Sequence, residues 1–202
     1  MSQDFSVTTI DLLRHGKPEG GDIFRGSTDV ALSEQGWQQM VAAIVPFEGW
    51  QHIVSSPLLR CQAFASNLAS EKNVPMHLQQ DLSEICFGDW DGLSFKAVEA
   101  TDKTLFDGFW NDPFLHTPPN GEPMQEFCQR IASGFWQAVK QLEGQHVLMV
   151  VHGGVIRAIL KMIMQSDNVA LMRYEVPYAC LSRIKIYHDN KGDFPQLVFH
   201  NR

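Results

Sequence analysis

Short apolar runs alternate with longer amphipathic ones along most of this chain. Val7 to Leu13 is strand-like and ends at Arg14-His15-Gly16. After a glycine-rich loop, Ser33 is a fitting N-cap for a helix through about Val45. His52 to Ser55 reads as a short strand. Ser56-Pro57 then supplies an N-cap and a proline at the first helical position, opening a helix to about Ser70. Leu58, Cys61, Ala65 and Leu68 recur on it at helical spacing. From about Leu82 to Gly121 the pattern predicts irregular chain rich in aromatic rings, closed by the turn formers Thr117 to Gly121. A long helix follows from about Glu122 to Leu142, with Phe127, Ile131, Phe135, Val139 and Leu142 on one stripe. His146 to Val151 is nearly all apolar, as a strand covered on both faces must be. It leads through His152-Gly153-Gly154 into a helix from Val155 to about Met164. Strand-like runs at Cys180 to Tyr187 and Gln196 to Phe199 flank the turn signal Asp189 to Gly192.

This alternation predicts a three-layer α/β/α sandwich around a mostly parallel sheet. In such folds ligands bind beyond the carboxyl ends of the strands. Arg14-His15, Ser55 to Arg60 and His152-Gly153 all follow predicted strands, so three distant segments are expected to meet at one sheet edge. The 202 residues suffice for one well-buried domain spanning 1–202. The aromatic stretch at about 86–121 is expected to form a cap or lid over the site.

Composition narrows the partners. A net charge of −7 offers no basic excess for nucleic acid, and any anionic ligand needs locally gathered positive charge. The apolar runs are too short to span a bilayer. The start, MSQDFSVTTI, lacks the basic and apolar regions of an export signal. Cys61, Cys86, Cys128 and Cys180 form no CxxC pair and read as reduced thiols, mostly small core residues, in a cytoplasmic protein. The expected ligand is therefore a small molecule, with at most a second copy of the chain as partner in a homodimer.

A lone histidine at a strand end is more often structural than catalytic. Here His15 stands beside Arg14 and before a glycine, and His152 holds an equivalent place before two glycines. Arg60 falls in the first turn of the intervening helix. Two histidines and two arginines at strand ends suit a dianionic tetrahedral group, because guanidinium forks and helix N-termini bind phosphate oxygens. Nearby cations also keep an imidazole neutral enough to attack phosphorus.

LLRHGKPEGG, SSPLLRCQ, LSEICFGDWDG and MVVHGGVIR occur in that order. Together they resemble the histidine phosphatase superfamily, which includes the cofactor-dependent phosphoglycerate mutases. FRGSTDVALSEQGWQQM, FGDWDG and PPNGEPMQEFCQR are most similar to the α-ribazole-5′-phosphate phosphatases of cobalamin synthesis. The resemblance implies a phosphoglycerate mutase-like fold and a phosphomonoesterase working through a phosphohistidine at His15. It implies that Arg14, Arg60 and His152 hold the phosphoryl oxygens, that Glu84 is the proton donor, and that no metal or other cofactor is needed. Gly153 and Arg25 join the implied binding set. Trp90 and Trp110, with Phe87, Phe109 and Phe114, are expected to offer stacking surface for a nucleotide-like substrate.

One departure stands out. Many members carry Glu-Thr after the RHG triplet and then an Asn beside the phosphate. Here Lys17-Pro18-Glu19-Gly20-Gly21 follows, and no Asn occurs before Phe24. Backbone N–H groups or Arg25 are the candidate replacements, and Lys17 reads as a solvated surface residue. Asp89-Trp90-Asp91 superficially offers magnesium ligands, but no strand-like run precedes it. No Cys-x5-Arg, HExxH, P-loop or GxSxG pattern occurs. Arg157 reads as a structural ion-pair partner, and the remaining histidines as surface residues. The rival functions are a broad-specificity phosphatase, a mutase-like enzyme and, in another class, a non-catalytic phospho-ligand module. That module should have lost the nucleophile or the acid, and both are present.

Overall fold

The computed structural model describes residues 5–202; the first four residues of the stretch read for an export signal lie outside it. The described residues form a six-stranded sheet in the order β3-β2-β4-β1-β5-β6. Its strands are β1 (Ser6–Arg14), β2 (His52–Ser55), β3 (Met76–Leu78), β4 (His146–Val151), β5 (Leu181–Asp189) and β6 (Gly192–Phe199). The first four run parallel, while β5 lies antiparallel to β1 and β6 antiparallel to β5.

Side chains alternate across the sheet. Ile10 and Leu12 of β1, with Val147 and Met149 of β4, pack under α5 (Met124–Gln141) and α6 (Gly153–Ile163). Leu13, Leu148 and Val150 face the other way, against α1 (Glu34–Ile44) and α2 (Leu59–Lys72). The result is the expected three-layer sandwich with a continuous core on each face. Among the described residues no helix is long and apolar enough to cross a membrane.

Two local expectations are corrected. The middle of the chain is not irregular throughout, since it contains α3 (Phe95–Thr101) and α4 (Lys103–Asn111), each opened by a side-chain cap from Ser94 or Asp102. Phe24, 2% exposed, is the hub around which Phe87, Trp90, Phe95 and Trp110 gather. Helices of seven and nine residues are marginal on their own, and this aromatic packing holds them in place. The second correction concerns α2, which starts at Leu59 and receives no cap from Ser56. Its first turn is capped from a distance, the Leu59 N–H donating to Asp29 at 2.7 Å. The Ser56 hydroxyl accepts only at long range from the Leu58 N–H, at 3.4 Å, and lies 2.7 Å from His152 Nε2.

The strand order places the site. Arg14 is the register partner of Val151, and Ser55 that of Val150, so β1, β4 and β2 end side by side. The ladder runs on past the strands: the His15 N–H donates to Val151 O at 2.9 Å and the Ser56 N–H to Val150 O at 3.1 Å. Gly16 does not adopt a left-handed turn; it is needed for close approach. A Cβ there would lie 2.0 Å from the carbonyl oxygen of Gly36 in the first turn of α1. The Ser33 hydroxyl completes this junction, accepting from Gly36 N–H and donating to Lys17 O.

Candidate active site

His15 is 5% exposed at the carboxyl end of β1. Its Nδ1 lies 2.8 Å from its neighbour's carbonyl, Gly16 O. A carbonyl can only accept, so Nδ1 carries the proton and Nε2 keeps its lone pair. Burial, followed by the charges of Arg14 and Arg60, holds this imidazole well below its ordinary range; the Gly16 contact opposes them less strongly. At neutral pH His15 is an uncharged imidazole with Nε2 available as a nucleophile.

Arg60 is fully buried, and its terminal nitrogens donate to the carbonyls of Thr28, Arg25 and Gly26 at 3.0–3.1 Å. Arg14 donates through Nη1 to Val176 O. Arg25 donates through Nη2 to the carbonyls of Glu19 and Gly21, so the Lys17 to Gly21 run grips this arginine. In each of the three, the Nε–H is buried without a protein partner. Among the described residues none of them pairs with a carboxylate. In a chain of net charge −7, three buried unpaired guanidinium edges are a local demand for an anion.

His152 is fully buried, its Nε2 2.7 Å from the Ser56 hydroxyl and its ring centroid 5.2 Å from that of His15. Burial and then Arg60 keep it, too, well below the ordinary imidazole range. Cys61 packs against it with Sγ 3.6 Å from Nε2, and burial pushes that thiol upward, so it stays protonated. Glu84 reaches the N-terminus of α6, where Oε2 accepts from the Gly154 N–H at 3.0 Å. The backbone behind Glu84 is held from α5: Arg130 donates to the carbonyls of Asp81 and Ser83 and pairs with Glu122 at 2.8 Å. Nothing in the sequence pattern pointed to Arg130 in this role; only the packing of α5 beside that loop reveals it.

A cleft of about 180 Å³ opens over these groups. Arg14, His15, Arg25, Glu84, Gly153 and Arg157 line its polar part, and Tyr178 closes one side. Ile23, Phe24, Phe87, Phe109, Trp110 and Met172 are among its apolar lining. Arg60 and His152 add no surface to the cleft and lie buried close to His15.

Several expected side chains stand elsewhere. Trp90 is 5% exposed and belongs to the core around Phe24, because its ring fills the space between Phe24 and Phe109. Phe114 also misses the cleft and packs beside Lys161. Among the described residues Arg157 forms no carboxylate pair; its Nε donates to Tyr174 O and it lines the cleft. Asp91 is no metal ligand: the N–H groups of Gly26, Ser27, Thr28 and Phe87 and the Thr28 hydroxyl occupy its oxygens. His146 is not a plain surface residue either, since it shares buried Asp11 with Arg183 and Trp50. Phe24 and Tyr178 were missed as cleft residues, the first although it opens the FRGSTDVALSEQGWQQM block, where the neighbouring Arg25 drew the chemistry, and the second because its loop has no periodicity.

The chain is similar to several known proteins. A bifunctional protein of Mycobacterium tuberculosis is 32% identical over 187 residues, which cover 90% of this chain and 51% of that protein. The chain therefore spans about half the length of that curated relative. The adenosylcobalamin/α-ribazole phosphatase of Escherichia coli is 25% identical over 87% of this chain and 88% of its own. In three dimensions a mycobacterial glucosyl-3-phosphoglycerate phosphatase superposes with a TM-score of 0.85 at 24% identity, covering 96% of this chain and 99% of that one. Residues 10–195 match the family described as histidine phosphatase superfamily (branch 1). With nearly the whole chain inside that match, this protein belongs to the histidine phosphatase superfamily.

Proposed function

We propose that this chain is a phosphoric monoester hydrolase that works through a phosphohistidine at His15. The observation that carries the reading is the neutral His15 ring set among three arginines whose buried Nε–H groups have no partner among the described residues. In the first step the Nε2 lone pair forms the N–P bond while the P–O bond to the alcohol breaks. Glu84 gives its proton to the departing oxygen, which as an alkoxide would leave poorly. Arg14, Arg60 and His152 stabilise charge on the equatorial oxygens, with Arg25 in the place of the missing Asn contact. Water then attacks phosphorus, passes its proton to the Glu84 carboxylate, and releases inorganic phosphate and neutral His15.

The substrate we favour is α-ribazole 5′-phosphate or a closely similar nucleotide-like monoester. Two things support it: the E. coli relative's name, and a cleft whose outer lining is largely aromatic and aliphatic. The fold does not decide the matter, since the same architecture serves a glucosyl-3-phosphoglycerate phosphatase. On this reading the 86–121 segment caps a cytoplasmic, metal-independent enzyme of one domain. The test is trapping of label from a phosphorylated substrate on His15, with a substrate panel of α-ribazole 5′-phosphate, 3-phosphoglycerate and glucosyl-3-phosphoglycerate. Turnover by His15→Ala at the native rate removes the mechanism, and a preference for either glycerate ester removes only the substrate.

A further inference from the structure

The segment from Tyr174 to Cys180, which precedes β5, is tied to the active site at four points. Arg157 Nε donates to Tyr174 O at 3.0 Å, and Arg14 Nη1 donates to Val176 O. The Ala179 N–H donates to His15 O at 3.2 Å, and the Arg14 N–H to Cys180 O at 3.0 Å. Ala179 sits in the left-handed region at φ 57°, a conformation that favours glycine and that an alanine holds only under such constraint. The product of this pinning is the placement of Tyr178. Its ring centroid lies 4.3 Å from the Arg14 guanidinium carbon and 5.9 Å from the His15 ring centroid.

We infer that Tyr178 is a positioning residue for Arg14. A guanidinium is planar, and two constraints of different kind fix that plane. The Val176 carbonyl holds one edge through Nη1, and the Tyr178 ring covers one face by cation–π contact. Neither contact engages Nε, whose N–H is left buried and unpartnered. An arginine so held keeps its guanidinium at the cleft it lines without rotating at the moment charge develops on the phosphoryl oxygens, which is where preorganised donors act most strongly. The ring acts through Arg14 and needs no contact with substrate of its own. This inference rests on the phosphoryl-transfer reading of His15 and Arg14.

The experiment compares the full-length chain with Tyr178→Leu, Tyr178→Phe, Arg14→Lys and the Arg14→Lys/Tyr178→Leu double variant. Turnover of p-nitrophenyl phosphate is measured together with vanadate affinity by calorimetry. Tyr178→Leu, which removes the π face, should lower kcat and vanadate affinity together by about 5- to 30-fold, with KM little changed. Tyr178→Phe keeps the ring and should recover both to within about threefold of the native chain. In the Arg14→Lys background the leucine should add less than about threefold, since its partner is already altered. Undiminished vanadate affinity in Tyr178→Leu overturns the inference, as does an equal loss in Tyr178→Phe or a full multiplicative loss in the double variant. Tyr178→Met gives the same reading if the leucine chain does not fold. A native chain that neither turns over phosphate esters nor binds vanadate sinks the phosphatase reading itself. An active native chain with an indifferent Tyr178 sinks only this inference.

Discussion

Gly154 and Glu84 meet so closely that no side chain fits between them. The Gly154 N–H donates to Glu84 Oε2 at 3.0 Å, and a Cβ on Gly154 would lie 2.3 Å from Glu84 Oε1. The clashing atom is the end of a flexible side chain, so Gly154→Ala should fold, with alanine's helix propensity offsetting any local loss. Glu84 must swing away. We predict a melting temperature within a few degrees of native, since local cost and helix gain are each about 1 kcal/mol. Single-turnover transfer from alkyl phosphates should fall about 10- to 100-fold, as for loss of a general acid. p-Nitrophenyl phosphate, whose leaving group needs little protonation, should suffer less. Equal losses on both substrates would show that Glu84 does not act as the acid.

The His15 ring should resist protonation. Burial first, and then Arg14 and Arg60, hold it well below the ordinary imidazole value of 6.5. In the free protein, nitrogen-detected NMR should therefore show no His15 titration as pH falls from 7 through 6.5, and kcat/KM should show no acid limb there from this residue. Nδ1 should be the protonated nitrogen throughout, as the Gly16 carbonyl requires. Arg60→Met removes one of the opposing charges and should move the titration upward. A His15 ring that titrates at the ordinary value in the native chain contradicts the neutral-nucleophile mechanism.

Much of this site was legible from the chain because its groups follow strands, and strands announce themselves by apolar runs. β1, β2 and β4 end at Arg14, Ser55 and Val151, and topology alone brings the next residues together. What stayed hidden depends on packing between elements. The helix at 103–111 carries an apolar face of Leu105, Phe106, Phe109 and Trp110 behind its Asp102 cap, which the aromatic-rich composition of the stretch masked; what no spacing encodes is the convergence of rings on Phe24. Trp90 and Trp110 lie in one segment of similar composition, yet one is core and the other 42% exposed at the cleft. Asp29, which caps α2 from another loop, displaced the role assigned to Ser56. Tyr178 owes its position to carbonyls gripped by distant arginines.

Asp11 should set the acid stability of the fold. Its carboxylate, on β1 and without exposure, loses favour by burial but gains more from hydrogen bonds of Arg183, His146 and Trp50, so it stays below its ordinary value of 3.8. A carboxyl depressed in the folded state stabilises it above the unfolded value and loses that contribution as pH falls through the folded one. Asp11→Asn should cost about 2–4 kcal/mol in urea denaturation at pH 7, because Arg183 keeps a half-buried charge without its partner. The gap between native and variant should be constant down to pH 5 and narrow only below 3.8. A gap independent of pH down to 2 would deny Asp11 its ionised state.

The two tryptophans provide the sharpest test of the substrate. Trp110 is half-open at the cleft, where it borders Phe24 and Phe109 and can take a flat base on its face. Base stacking on an aromatic side chain is worth about 1–3 kcal/mol, a factor of roughly 5 to 150. Trp110→Ala should therefore lower kcat/KM for α-ribazole 5′-phosphate within that range. It should leave 3-phosphoglycerate, which has no ring to stack, nearly unaffected. Trp90 is buried against Phe24, Phe106 and Phe109 and borders no part of the cleft. Trp90→Ala should instead cost about 3–5 kcal/mol of folding stability through the cavity it leaves. At temperatures where that variant remains folded, its ratio of kcat/KM between the two substrates should match the native ratio. A native ratio in Trp110→Ala as well would mean that the aromatic wall does not read the leaving group. The substrate would then have to be sought among esters that the arginines recognise by phosphate alone.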